Sequence, residues 1–142
     1  MKNNKKTSYK KVNDNKIEKS GNTAQYPSEW LYFNEKKVIP KEIAQVFEDE
    51  KTGIAQLWEE LGILEIELMN EAKSMDMEET DISLQDEETR QYLESAHIQT
   101  VYMVTIRPED FVQAKDAMER ILKNLGGYFC GDTEDFQPEI RI

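Results

Sequence analysis

A break in composition near residue 25 most constrains what this chain of 142 residues can fold into. After the initial methionine, residues 1–25 hold Tyr9, Val12 and Ile17 as their only large apolar or aromatic side chains. Such a segment cannot bury enough surface to offset the entropy lost on ordering, so we predict a disordered leader there. Residues 26–142 then form one acidic domain, of a length that is ordinary for a single domain.

The charge is divided along the chain. Residues 1–19 carry seven lysines against one Asp and one Glu, so the leader is basic. Residues 42–94 carry seventeen Asp and Glu against three Lys and Arg, and the net charge of −11 therefore understates the acidity of the domain. A concentrated negative field attracts cationic proteins and repels nucleic acid and anionic membranes. We therefore expect a basic protein partner, and no direct binding to nucleic acid or membrane.

Cysteine usage and hydropathy bear on the compartment. Cys130 is the only cysteine, which excludes an internal disulfide and agrees with a reducing cytoplasm. No apolar run approaches the ~18 residues that a membrane-spanning helix needs. Residues 8–23 lack the continuous apolar core of a secretory signal. We predict a cytoplasmic protein.

The period of the apolar residues predicts alternating strands and helices. The predicted strands are Glu29–Phe33, Leu64–Leu68, Thr100–Ile106 and Tyr128–Cys130, with optional strands at Lys37–Ile39 and Gln137–Ile142. Predicted helices run from Pro40 to about Phe47, from Asp86 to about Ala96 and from Pro108 to about Leu125. The polar, acidic stretch 70–85 is interpreted as a loop with at most a helical turn.

A further helix is predicted between the first two strands. Ile54, Leu57, Trp58 and Leu61 recur at helical spacing before Gly62, which places Trp58 in the core. The resulting order of elements favours the α/β or α+β class, with a single mixed sheet and helices packed on it. Parallel crossovers are the first expectation, and a split βαβ arrangement of the ferredoxin-like kind is the main alternative.

Carboxylates form two candidate binding regions. The first, which we call the acidic belt, consists of Glu71, Asp76, Glu78, Glu79, Asp81, Asp86, Glu87 and Glu88. The second is the turn after Cys130. Both would present carboxylates to Lys and Arg of a partner, and the aromatic residues Tyr92 and Phe136 would serve as buried anchors. The predicted partner-binding residues are Asp76, Glu78, Glu79, Asp81, Asp86, Glu87, Glu88, Tyr92, Asp132, Glu134, Asp135 and Phe136. The alternative interpretation of the belt is a solvated face that maintains solubility.

No motif predicts catalysis, a cofactor or a metal. His97 is the only histidine, and Glu94 three residues before it suggests an ion pair at a helix end. Calcium requires six to eight oxygen ligands at set positions, which the short turn Gly131–Asp135 does not provide by motif. Cys130 follows two aromatic residues and is interpreted as a small buried hydrophobic residue. We therefore expect a protein that is not an enzyme and binds neither cofactor nor metal.

Taken whole, the chain resembles the immunity proteins that accompany bacterial contact-dependent or polymorphic toxins, including those paired with wall-associated tRNA-cleaving toxins. The resemblance lies in the length, the leader Lys-Asn-Asn-Lys-Lys, the acidic centre and the stretch Gly-Gly-Tyr-Phe-Cys-Gly-Asp-Thr-Glu-Asp-Phe. It implies a non-enzymatic antitoxin that binds and neutralises the C-terminal nuclease domain of its cognate toxin. Such proteins use unrelated folds, so the resemblance implies no fold and no site residue.

The alternative function is a small ligand-binding or regulatory protein. Its pocket would lie at the carboxyl ends of the strands, lined by residues 129–132 and 69–71.

Overall fold

The structure is a computed structural model that describes residues 26–142, and the predicted disordered leader lies outside the described residues. The strands are β1 (Glu29–Asn34), β2 (Gly53–Trp58), β3 (Ile63–Leu68), β4 (Ser74–Thr80), β5 (Thr100–Thr105), β6 (Tyr128–Gly131) and β7 (Glu139–Ile140). The helices are α1 (Pro40–Val46), α2 (Glu87–Ser95) and α3 (Phe111–Leu125), with short 3-10 turns at Ile82–Leu84 and Pro108–Asp110.

All seven strands belong to one sheet in the order β2-β3-β4-β5-β1-β6-β7. Each neighbouring pair is antiparallel, so no parallel ladder forms among the described strands. Strands β5 and β6 are joined by α3 and lie on either side of β1. That unit is a split βαβ crossover, the arrangement predicted as the alternative, whereas the parallel strand pairing expected first does not form among the described strands. The single sheet with helices packed on it is confirmed.

One face of the sheet is covered by α1 and α3. Side chains from six strands join the two helices in one continuous apolar core, in which Tyr32, Leu64, Met77 and Ile121 are completely buried. Helix α3 contributes the inward stripe that its 3.6-residue period predicts. Pro108 opens the turn before α3, and Gly126 ends the helix with a positive φ of 82°.

The other face is covered only in part, by α2 and the residues around it. Asp86 lies at the predicted start of α2 and caps the helix, because its carboxylate accepts a hydrogen bond from the Thr89 N–H at 2.8 Å. Leu93 then packs with Phe33, Val101 and Tyr128 in a second, smaller core over β5, β1 and β6. The rest of that face, on β2, β3, β4 and the end of β5, carries no helix of the described chain.

A buried carboxylate connects the turn between β3 and β4 to the start of α3. Asp110 accepts hydrogen bonds from the backbone N–H of Lys73, at 3.0 Å, and from Arg107 Nε, at 2.9 Å. The Arg107 guanidinium, and secondarily the Lys73 N–H, hold the pKa of Asp110 below its usual range. The turn between β3 and β4 is therefore fixed against the start of the longest helix, which keeps these two strands in place.

The predicted second helix is wrong, because residues 53–58 form strand β2. Ala55 and Leu57 point towards the core, whereas Ile54, Gln56 and Trp58 alternate with them on the outer side. Two apolar side chains on the solvent side produced helical spacing by chance. Trp58 is 45 % exposed, so its predicted place in the core is also wrong.

The predicted loop over residues 70–85 contains strand β4, so that prediction is wrong for residues 74–80. The strand buries Met75 and Met77 and alternates them with Ser74, Asp76 and Glu78. Its inward residues include neither a β-branched nor an aromatic side chain, and its outward residues are polar, so propensity gave no strand signal. The predicted helical turn is confirmed at Ile82–Leu84, and the optional strand at Lys37–Ile39 does not form.

No helix among the described residues is both long enough and apolar enough to span a bilayer.

Candidate protein-binding surface

The uncovered part of the sheet collects the outward side chains of four neighbouring strands and the first residue of β1. We call it the open face. Its members are Glu29, Ile54, Gln56, Trp58, Ile63, Glu65, Glu67, Ser74, Asp76, Glu78, Met103 and Thr105. Five of these residues are Asp or Glu and none is Lys or Arg, so the surface presents one sign of charge.

Cross-strand pairing arranges the open face in rows. One row, which we call the acidic row, runs from Gln56 on β2 through Glu65, Asp76 and Thr105 to Glu29 on β1. Directly opposite side chains in an antiparallel pair have Cβ atoms about 5 Å apart, and like charges in that position destabilise the pair. Glu65 and Asp76 are such a pair. The native fold thus places two carboxylates directly opposite each other.

The next row is largely apolar. It consists of Trp58, Ile63, Glu78 and Met103, in that order across β2 to β5. Trp58 and Met103 are each nearly half exposed, and Ile54 on the other side of the acidic row is 41 % exposed. Aromatic residues and methionine are enriched in protein interfaces. Large apolar side chains therefore border the carboxylates on both sides.

The carboxylates of the open face lack compensating cations among the described residues. None of them lies in an ion pair with a Lys or Arg of residues 26–142. Glu65 accepts a hydrogen bond from Trp58 Nε1 at 3.1 Å, and Asp76 accepts one from Ser74 Oγ at 2.9 Å. These donors are neutral, so within residues 26–142 the negative charge of the carboxylates is not balanced.

A partly open depression of about 430 Å³ lies at one end of the open face. Its lining is mainly polar and includes one cation, Lys73. The lining residues are Ile54, Gln56, Glu65, Glu67, Glu71, Ala72, Lys73 and Ser74. The shape suits an inserted side chain of a partner better than an enclosed small molecule.

The structure divides the predicted partner-binding residues among four places. Asp76 and Glu78 belong to the open face. Glu79 points to the opposite face of the same strand and forms an ion pair with Lys37. Asp81 caps the 3-10 turn, and the hydrogen bonds from the backbone and side chain of Ser83 lower the pKa of its carboxyl.

The remaining predicted residues lie around the start of α2 and the turn after β6. We call this second surface the α2 cluster, and its members are Asp86, Glu87, Glu88, Tyr92, Asp132, Glu134, Asp135 and Phe136. Loss of solvation raises the pKa of Asp132, and the Asp86 carboxylate adds to the rise, although Asp132 as a residue is exposed. Hydrogen bonds from the Thr89 backbone and hydroxyl lower the pKa of Asp86.

The two predicted anchors of the α2 cluster already have partners inside the molecule. The rings of Tyr92 and Phe136 pack on each other with centroids 5.0 Å apart, and both pack on Phe33. The Tyr92 hydroxyl hydrogen-bonds that of Tyr128. These aromatic residues belong to the second core, so neither is fully available to a binding partner.

Of the open face, sequence reasoning identified only Asp76 and Glu78 and missed, among others, the exposed apolar Ile54, Trp58 and Met103 and the carboxylates Glu65 and Glu67. A signal was present for the two glutamates, because Glu65 and Glu67 alternate with the buried Leu64, Ile66 and Leu68 of a correctly predicted strand. The exposure of Ile54 and Trp58 could be predicted only by recognising residues 53–58 as a strand. The exposure of Met103 could be predicted only by knowing which part of β5 no helix covers.

Three other predictions concern chemistry. Cys130 is buried as predicted, and desolvation raises the pKa of its thiol to about 12, which keeps it protonated. Within residues 26–142, no group of three or more His, Cys, Asp or Glu side chains is placed to hold a metal ion. Residues 69–71 follow β3, whereas residues 129–132 comprise the last three residues of β6 and the residue after it. Strands β3 and β6 are four strand positions apart, or about 19 Å. The two segments do not line one pocket.

Comparison of the chain with protein-family models, with curated proteins and with solved structures gave no match in any of the three.

Proposed function

We propose that this protein binds a cationic protein through its open face and acts by that binding. The observation that supports this function is the cross-strand arrangement of five carboxylates with exposed Trp58 and Met103 on an uncovered part of the sheet. A partner with Lys and Arg at matching positions would balance the charges, while its apolar groups would cover the indole and the thioether. The two interactions are complementary, because charge directs the approach and apolar burial holds the complex.

The electrostatics favour a fast encounter. Residues 26–142 contain eleven Lys and Arg against twenty-seven Asp and Glu, and the open face has no cation among its members. A one-signed surface of this kind raises association rates by tens to hundreds of fold at low ionic strength. A rigid sheet also holds the carboxylates in place before binding, which reduces the entropy lost on association.

The resemblance described above supports a toxin as the partner. A nuclease domain binds the phosphates of its substrate with Lys and Arg, and a row of carboxylates is a chemical substitute for those phosphates. On this proposal the protein is an antitoxin of the cytoplasm, and the partner is the C-terminal nuclease domain of a cognate toxin. Its own chain supplies no catalytic step.

The first test is affinity capture from the native cells with two matched variants. Glu65→Lys/Asp76→Lys/Glu78→Lys reverses the open face, and Glu87→Lys/Glu88→Lys/Glu94→Lys makes the same charge change on α2. We expect the wild type and the α2 variant to retain a cationic protein that the open-face variant loses. If the α2 variant loses that protein instead, the α2 cluster is the interface and the proposal is wrong.

The second test measures inhibition and rate on the captured partner. We expect the wild type to suppress the nuclease activity of the partner and the open-face variant to fail. The association rate constant should fall by at least tenfold between 20 mM and 500 mM salt, because mobile ions screen the attraction. A rate constant that does not depend on salt would exclude electrostatic steering by this surface.

A further inference from the structure

The two edges of the sheet differ in how they are protected. Edge strand β7 has two residues, follows Pro138 and carries Glu139, which is bound by Arg141. Short length, proline and charge are the features that prevent a sheet edge from pairing with another chain. Edge strand β2 has none of them: its six residues read Gly-Ile-Ala-Gln-Leu-Trp, without charge or proline.

Within the described chain, β2 pairs with β3 alone. Its other side therefore presents backbone N–H and C=O groups that no described strand satisfies. An edge of this kind can accept an additional strand, in which main-chain hydrogen bonds give affinity and alternate side chains give specificity. The new strand would extend the open face by one position beyond Ile54, Gln56 and Trp58.

The surrounding charge defines the strand that fits. Glu59 and Glu60 follow β2, and Glu65 and Glu67 lie on the next strand in the open face, whereas Lys51 is the nearest cation in sequence. Lys or Arg at alternate positions of the added strand would point over the open face. Small or apolar residues at the positions between them would lie beside Ala55 and Leu57, which are half buried on the other side.

A second copy of this chain fits the edge less well. Two β2 strands would bring no new cations to the open face, and each described domain has sixteen more acidic than basic residues. Long-range repulsion between two such bodies opposes association, whereas a cationic segment is attracted.

We propose that β2 accepts an extended segment of the cationic partner, with Lys or Arg at every second residue, as an eighth strand of the sheet. This inference rests on the proposed function and adds to it the backbone pairing by which the partner binds. It assigns the partner a strand or an extended loop at the contact, and it places Ile54, Gln56 and Trp58 on both the edge strand and the open face.

The test uses the full chain labelled with ¹⁵N and a synthetic eight-residue peptide that alternates lysine with valine and threonine. Two further peptides carry N-methyl groups on the odd or on the even residues. An extended peptide directs alternate N–H groups to β2 and the others to solvent, so the two methylated peptides have equal charge but opposite hydrogen-bonding edges. The readout is amide chemical shift and hydrogen exchange along β2.

We expect the parent peptide and one methylated peptide to bind and to slow exchange of the outward β2 amides at least tenfold. The other methylated peptide should bind at least tenfold more weakly. Equal binding of both methylated peptides, binding without slower exchange on β2, or no binding of the parent peptide would each overturn the proposal. Dimerisation of the chain through β2, seen by sedimentation, would assign the edge to a second copy and also overturn it.

The experiment separates this inference from the proposed function. If both methylated peptides bind equally and Glu65→Lys/Asp76→Lys/Glu78→Lys abolishes that binding, the open face binds cations without strand addition. If capture of the cationic protein survives the reversal of the open face, the proposed function fails independently of the peptide result.

Discussion

The two faces of the one sheet have opposite chemistry, although every strand contributes alternate residues to both. The face under α1 and α3 is filled with Leu, Ile, Met and aromatic side chains that water does not reach. On the other face the described chain places only helix α2, whose nine residues span about 14 Å, against a sheet of seven strands about 29 Å wide. One short helix cannot cover the whole width, and the uncovered part bears carboxylates beside exposed apolar residues. The comparison indicates that one face provides stability and the other is available for binding.

The largest expected difference is between the two tryptophans. Trp30 is buried under α3, and Trp58 lies on the open face. We expect Trp30→Ala to lower the free energy of unfolding by about 3–5 kcal/mol and Trp58→Ala by less than about 1 kcal/mol. Urea denaturation followed by far-UV circular dichroism measures both. Similar losses for the two variants would show that the open face also contributes to the core.

Neighbouring residues of β4 provide the next test, because Met77 points to the core and Glu78 to the open face. Met77→Ala should lower the free energy of unfolding by about 2–4 kcal/mol through loss of buried surface and the cavity left behind. Glu78→Ala should change it by no more than about 0.5 kcal/mol. The same denaturation experiment applies, and a costly Glu78→Ala would contradict the assignment of faces.

A smaller effect of opposite sign is expected in the acidic row. Glu65→Gln and Asp76→Asn each remove one member of a like-charged cross-strand pair and retain its size and hydrogen-bonding ability. We expect each to raise the free energy of unfolding by about 0.2–1 kcal/mol at low salt. The gain should shrink in 0.5 M salt because of screening. Loss of stability in either variant would indicate that these carboxylates have a structural role.

The smallest effect concerns pH on the covered part of the second face. Because the folded-state pKa of Asp86 is lowered, its stabilisation is present above the ordinary carboxyl pKa of about 4 and is lost as pH falls through the lowered value. The pKa of Asp132 is raised, so its ionisation opposes folding at neutral pH and this cost disappears as pH falls through the raised value.

The corresponding variants should therefore differ in sign at neutral pH. Asp132→Asn is expected to be slightly more stable than the wild type at pH 7, with a gain that vanishes towards pH 3. Asp86→Asn should be less stable at pH 7 and lose less on acidification. Denaturation of both variants from pH 3 to pH 7 checks this expectation, and parallel pH profiles for the two variants would contradict it.

Local patterns in the sequence were sufficient for most elements and insufficient for the candidate site. The β-branched and aromatic run at Thr100–Thr105, the alternation in β3 and the helical stripe of α3 between Pro108 and Gly126 predicted those elements correctly. The predictions for β2 and β4 are wrong for different reasons: exposed Ile54 and Trp58 gave β2 a helical spacing, and the inward residues of β4 include no β-branched or aromatic side chain. Both are open-face strands, so the site was where sequence reasoning failed most.

By itself, the sequence determined the acidic character of residues 26–142 and the elements whose signals lie within a few residues of one another. Caps, turn residues and apolar periods act over such short separations, and they are readable without a fold. The tertiary structure alone decided that Glu65, Asp76 and Glu29 form one row, and that Glu79 lies on the opposite face of the sheet in an ion pair with Lys37. Such groupings depend on strand order and register, which follow from pairing between residues far apart in the chain and from the limited width that one helix can cover.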